Sequence, residues 1–149
     1  MALRITTVAD SISKLTVTGL TILDLNEIKP ATDTRGSWMV PLPPYIEDME
    51  IQIDSTGAAA ALMTVWYTLP YRVFYKRAGT GRSNKLENVS GKVALLGLIV
   101  DAILAIVTIT GCEDMKPLNP TNMDAALEDP AGNLWEGFDI GFRVMEFVN

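Results

Sequence analysis

The chain offers few residues with which to do chemistry. There is no histidine among its 149 residues, which removes the commonest general base, nucleophile activator and metal ligand together. Cys112 is the single cysteine. With no imidazole to draw off its proton, it reads as a small buried or half-buried apolar side chain rather than a nucleophile. The carboxylates fall in sequence-adjacent groups: Glu47, Asp48 and Glu50; Glu113 and Asp114; Glu128 and Asp129. Glycoside hydrolysis needs two carboxylates facing each other across a cleft, which neighbours in one polar loop do not provide. These groups therefore read as solvated loop charge. A hard-cation loop would show the DxDxDG spacing, which is absent. Asp101 is the one acid in an apolar setting, and it reads as a helix position at a subunit boundary or as the partner of an arginine.

The cations are concentrated in one stretch. Residues 76–92, KRAGTGRSNKLENVSGK, hold Lys76, Arg77, Arg82, Lys85 and Lys92 among three glycines. Gly79 and Gly81 beside Arg82 invite comparison with a phosphate loop, but the spacing matches neither the Walker pattern nor GxGxxG. The stretch reads instead as a solvated or subunit-facing loop. Lys76, Arg77, Arg82, Lys85 and Asp101 are accordingly the candidate subunit contacts. No catalytic, metal-binding or cofactor-binding residue is expected.

These residues must be held by the elements around them. Met63–Lys76 alternates with period two, Val65, Tyr67, Leu69, Tyr71, Val73 and Tyr75 against Thr64, Thr68, Arg72 and Lys76, and reads as a long half-buried strand. Pro70 lacks the N–H of a central ladder, so the strand is expected to bend or to reach an edge there. Met49–Ile53 and Phe138–Val148 alternate in the same way, and Leu20–Leu25 is a shorter candidate strand. Thr7 and Asp10 resemble a capping box ahead of a first helix with Val8, Ile12 and Leu15 on one face and Gly19 as its stop. A second helix is expected to start at Asn84–Glu87 or one turn later, near Ser90.

Val93–Thr110 is almost uniformly apolar and long enough to be weighed as a membrane span. Asp101 near its centre argues against lipid, and the β-branched run at its end suggests that helix gives way to strand around 105–107. Ser90, Ala94, Gly97, Asp101 and Ala105 form a narrow small-residue stripe, with Leu95, Ile99, Ile103 and Ile106 lying away from it. Such a helix can pack on a sheet with one face and against another chain with the other.

The stretch from Asn26 to Tyr45, with Pro30, Gly36 and the PLPP run at 41–44, is expected to be an extended loop or arm. Trp38, Trp66 and Trp135 read as core or interface anchors. Residues 111–122 read as an extended segment or loop, and DPAGN at 129–133 is a turn signal. The whole is the length of one ordinary domain. Its order predicts an α+β class with a mostly antiparallel sheet of four to five strands and two helices packed on one face. The net charge of −6 argues against a protein that grips nucleic acid through its phosphates. A lone cysteine and the absence of a leader-like start point to a reducing compartment and use without secretion.

The ribbon YRVFYK, the Gly- and Arg-containing loop through Arg82, the long apolar helix and the closing strand FDIGFRVMEFV together resemble the tail terminator proteins of long-tailed bacteriophages, which cap the tail tube and join it to the neck. The resemblance implies a structural virion protein, no enzyme and no cofactor. It also implies a homo-hexameric ring, with the tail tube protein and neck or connector proteins as partners. DNA would pass through the lumen unbound; six copies would carry roughly −36, a charge that repels DNA. The location implied is the virion, with assembly in the host cytoplasm and no membrane attachment. Another neck or head-completion protein, a small membrane-associated accessory protein and a small cytosolic enzyme are the competing readings.

Overall fold

The computed structural model describes residues 3–29, 36–52, 62–78, 82–106, 109, 112–124 and 126–148, with their side chains except at 52 and 82–87. The elements run α1 (Ile5–Ser13), β1 (Leu20–Ile22), β2 (Ser37–Pro41), β3 (Tyr45–Gln52), β4 (Leu62–Arg77), α2 (Arg82–Leu104), β5 (Asp114–Pro117), β6 (Ala126–Glu128) and β7 (Leu134–Val148).

Alternating β-branched and aromatic side chains make β4 and β7 two long strands, and they pair antiparallel along nearly their full length, from Met63 opposite Val148 to Arg77 opposite Trp135. Each has an interrupted strand along its outer edge. β2 and β3 lie end to end beside β4, with Met39 opposite Val73 and Met49 opposite Val65. β5, an isolated Thr121–Asp139 bridge and β6 follow one another beside β7. β1 adds to β2 in parallel, so the sheet is mixed.

The sheet thus exceeds the four to five mostly antiparallel strands expected, with seven among the described residues. The difference lies in β2, β5 and β6, which run five, four and three residues, too short for alternation to be read. β2 also falls inside the 26–45 stretch expected as an arm: Trp38 and Met39 are buried there, while residues 30–35 lie outside the described set. Pro70 is not at an edge either. Gly141 faces it from β7, and on the other side its carbonyl accepts from the Leu42 N–H at 2.8 Å. Its missing donor therefore points into the gap between β2 and β3, where no ladder bond is lost.

Both helices cover one face of the sheet, as expected. Val8 and Ile12 of α1 and Leu95, Ile99 and Ile103 of α2 close over Val65, Tyr67, Leu69, Tyr71 and Val73 of β4 and Phe138, Ile140, Phe142 and Val144 of β7. A smaller cluster of Leu23, Trp38, Phe74, Leu127 and Trp135 sits on the opposite face. Two boundaries differ from the expectation. Thr7 and Asp10 lie inside α1, whose N-cap is Arg4 without a side-chain cap; Glu146 supplies the acceptor instead, as described below. α2 begins at Arg82 and stays helical to Leu104. Ala105 and Ile106 then turn back onto Asp101 and Ile103, with no strand at 105–106; 107 and 108 lie outside the described residues. No described helix is long and apolar enough to cross a membrane.

Candidate functional site

The expected contact residues do not form one site. Lys76 and Arg77 are exposed at the end of β4. Arg82 and Lys85 occupy the first turns of α2, with side chains outside the described set. Asp101 is exposed far along the same helix, and the helical rise puts it roughly 28 Å from Arg82. Lys92, counted with the same basic stretch, is buried and faces the sheet: its ammonium lies 3.2 Å from a Glu136 carboxylate oxygen and donates to the Met123 carbonyl.

The face of the sheet opposite the helices carries charges that the strand register brings together. Arg72 is the cross-strand partner of Asp139 and makes a two-pronged ion pair with it, at 2.8 and 3.0 Å. Asn122 donates to the same carboxylate at 2.7 Å. Burial would raise the Asp139 pKa, but the Arg72 guanidinium and the Asn122 amide outweigh it and hold the carboxyl below its ordinary value. Glu47, at the bulge in β3, lies 2.7 Å from the Arg143 guanidinium and accepts from the Thr68 hydroxyl.

Asp129 departs from its reading as solvated loop charge, whereas its neighbour Glu128 is exposed as expected. The Asp129 carboxylate is buried and accepts from the Trp135 indole N–H at 3.0 Å, the Asn133 backbone N–H at 2.9 Å, the Asn133 amide at 3.2 Å and the Ala131 N–H at 3.0 Å. Lys29 approaches it to 3.3 Å, with its ammonium 4.8 Å from the Trp135 ring centroid and 5.7 Å from that of Trp38. Burial opposes the charge on Asp129, but the indole, the Asn133 donors and the ammonium together hold the carboxyl well below the aspartate range. A cleft of about 410 Å³ adjoins this cluster, lined by Val40, Leu42, Arg72, Phe74, Asp129 and Pro130 among others.

These arrangements neutralise charge rather than store it. Asp129, Asp139 and Glu47 are each committed to a cation and to further donors. Cys112 is half-buried, and burial first, then the Asp114 and Glu146 carboxylates, push its thiol up to about 11, the opposite of an activated nucleophile. No group of three metal-ligating side chains occurs among the described residues.

What the surface does present is apolar area. α2 turns Asn88, Lys92, Leu95, Ile99 and Ile103 inward, and the stripe of Ser90, Ala94, Gly97, Asp101 and Ala105 outward, as its spacing predicts. Flanking that stripe, Val89, Val93 and Leu104 on one side and Leu98 on the other stand between 44% and 66% exposed. β3 presents a second area: Ile46, Met49 and Ile51 are between 47% and 61% exposed. Periodicity found the outward face of α2; the ion pairs on the opposite face could be found only by knowing which residues of β3, β4 and β7 stand side by side. No protein-family model matches the sequence, and no curated protein is detectably similar to it.

Proposed function

We propose that the chain is a structural subunit of a tailed bacteriophage, forming a ring that caps the tail tube and joins it to the neck. The observation that carries this reading is the exposed apolar residues that flank the small-residue stripe of α2. A helix that buries Leu95, Ile99 and Ile103 in its own core and still exposes Val89, Val93, Leu98 and Leu104 is built to be covered by another chain. The residue resemblance to tail terminators supplies the identity of the assembly, and the net charge of −6 suits a lumen through which DNA slides. In this reading the protein works by contact, with the tail tube on one side and the connector on the other, in the virion after assembly in the host cytoplasm. The basic stretch with Lys76, Arg77, Arg82 and Lys85 then meets an acidic surface on the adjacent subunit or the tube and sets the register of stacking.

Light scattering and negative-stain imaging of the purified protein, followed by binding to isolated tail tubes, test this. A closed ring of about six chains that decorates tube ends is the expected result. Arg77→Glu with Arg82→Glu should abolish decoration while the ring persists. A protein that assembles but ignores tubes belongs elsewhere in the neck or head, and one that neither assembles nor binds tubes overturns the proposal.

A further inference from the structure

The cleft beside the Asp129 turn has a floor, two walls and one fixed polar group. Phe74 and Arg72 of β4 form the floor, and Val40 and Leu42 form one wall. Val40 is the cross-strand partner of Arg72, so the two side chains rise from the same face of the sheet. Pro130 forms the other wall, at a turn pinned by the buried Asp129 carboxylate through the Trp135 indole and the Ala131 and Asn133 N–H groups. Beneath the floor Phe74 meets Trp135 edge to face, with ring centroids 5.7 Å apart, and both are buried with Leu127. The cleft is therefore preformed, mainly apolar and, at about 410 Å³, of the size that takes a small organic molecule. Glu128 also borders it, but Leu127 points into the cluster below, so alternation sends the Glu128 side chain to the opposite face.

Charge around the cleft cancels locally, since Lys29 pairs with Asp129 and Arg72 with Asp139. What is left over is donor capacity on Arg72. Its Nε and Nη2 are held by Asp139, and Nη1 has no acceptor among the described residues. Asp139 stands on the β7 side of Arg72 and Val40 on the β2 side. In a guanidinium gripped through Nε and Nη2, Nη1 lies away from the carboxylate, here towards the wall of Val40 and Leu42. We propose that the cleft is a binding site for a small apolar molecule bearing an oxygen acceptor. Its hydrocarbon part lies on Phe74, Val40, Leu42 and Pro130, and its oxygen accepts from Arg72. The Arg72–Asp139 pair then does more than neutralise charge: it aims a donor and holds its rotamer, and Asp139 is itself held by Asn122. The site lies on the sheet face opposite α2, and neither this reading nor the ring depends on the other.

The probe is benzylacetone, a ketone that is otherwise hydrocarbon, titrated into the isotope-labelled full-length protein and followed by NMR. Amide signals of Val40, Leu42, Arg72, Val73, Phe74, Asp129 and Ala131 should shift and saturate, with a dissociation constant of about a millimolar. The matching amine, in which an ammonium group replaces the carbonyl oxygen, should bind about 10-fold more weakly, because it offers Arg72 no acceptor. Leu42→Trp fills the cleft and should abolish the saturable shifts; Val40→Trp takes its place where thermal melts show Leu42→Trp to be misfolded. Arg72→Lys keeps the charge beside Asp139 without the fork and should erase the preference for ketone over amine. The inference is overturned by saturable shifts that lie elsewhere, by their absence up to the solubility limit of the ketone, or by equal affinity for ketone and amine. Unchanged binding in the folded cleft-filling variant, or a preference that survives Arg72→Lys, overturns it as well.

Discussion

The carboxylate of Glu146, near the end of β7, accepts the backbone N–H of Arg4 at 2.9 and 3.2 Å. The first helix is thereby capped by the last strand, across 142 positions of sequence. Glu146 is buried, so the bond replaces water at an orphan donor and sets a negative charge at the positive end of α1. Burial, with Glu146 beside it, also drives the Tyr67 phenol far above its ordinary pKa.

Glu146→Ala should therefore cost about 1–3 kcal/mol, read from the urea midpoint. Amides of residues 5–13 should lose hydrogen-exchange protection before the sheet does, and Glu146→Gln, which keeps an acceptor, should cost less. Equal protection of α1 in wild type and the alanine variant would dispose of the cap.

The acid limb of stability should belong largely to Asp129 and Asp139. Both have folded-state pKa values below the ordinary 3.8, so their contribution is complete above that value and is lost as pH falls below it. Urea midpoints between pH 7 and pH 2 should fall below about pH 4, and Asp129→Asn should flatten that fall. At neutral pH Asp129→Ala should cost about 1–3 kcal/mol, since the buried Trp135 indole N–H and the Asn133 donors lose their acceptor. An unchanged acid limb in Asp129→Asn would contradict the assignment.

Lys92 and Glu136 form a buried pair, and such pairs matter more when broken than when replaced. Lys92→Met alone should destabilise by about 3 kcal/mol, because Glu136 is left on the apolar face. Lys92→Met with Glu136→Leu should recover most of the loss. A double variant as weak as the single would show that the ion pair itself is needed.

Two glycines make opposite predictions. A Cβ on Gly137 would stand 1.9 Å from the Val73 carbonyl oxygen, inside the β4–β7 pairing, so Gly137→Ala should cost more than about 3 kcal/mol. Gly97 is in the middle of α2, and a methyl group added there would meet nothing within 4 Å; Gly97→Ala should stabilise the isolated subunit by about 1 kcal/mol through helix propensity alone. Thermal melts of both decide the matter.

Cys112 should alkylate slowly. A thiol pushed from 9.0 up to about 11 holds roughly 100-fold less thiolate at neutral pH. Iodoacetamide should modify the folded protein far more slowly than the urea-unfolded chain, and the folded-state rate should keep climbing past pH 9. Equal rates folded and unfolded would refute the shift.

By itself the sequence determined the elements whose side chains obey one period over many residues. β4 and β7 were legible because backbone geometry sends alternate side chains to opposite faces whatever the strand pairs with. For the same reason the two faces of α2 were legible, with Leu95, Ile99 and Ile103 inward and the small residues outward. Only the tertiary structure decided the rest. The short strands β2, β5 and β6 exist because a long neighbour offers a ladder, and three to five residues carry no period of their own. Arg72 meets Asp139, Glu47 meets Arg143 and Lys29 meets Asp129 because sheet register and a turn bring them together, and register follows from packing the whole face. The same packing buried Lys92 and Asp129, which their neighbours in sequence made look solvated, and left Asp101 in water. Burial is a property of what lies opposite in space, and only local spacing is written along the chain.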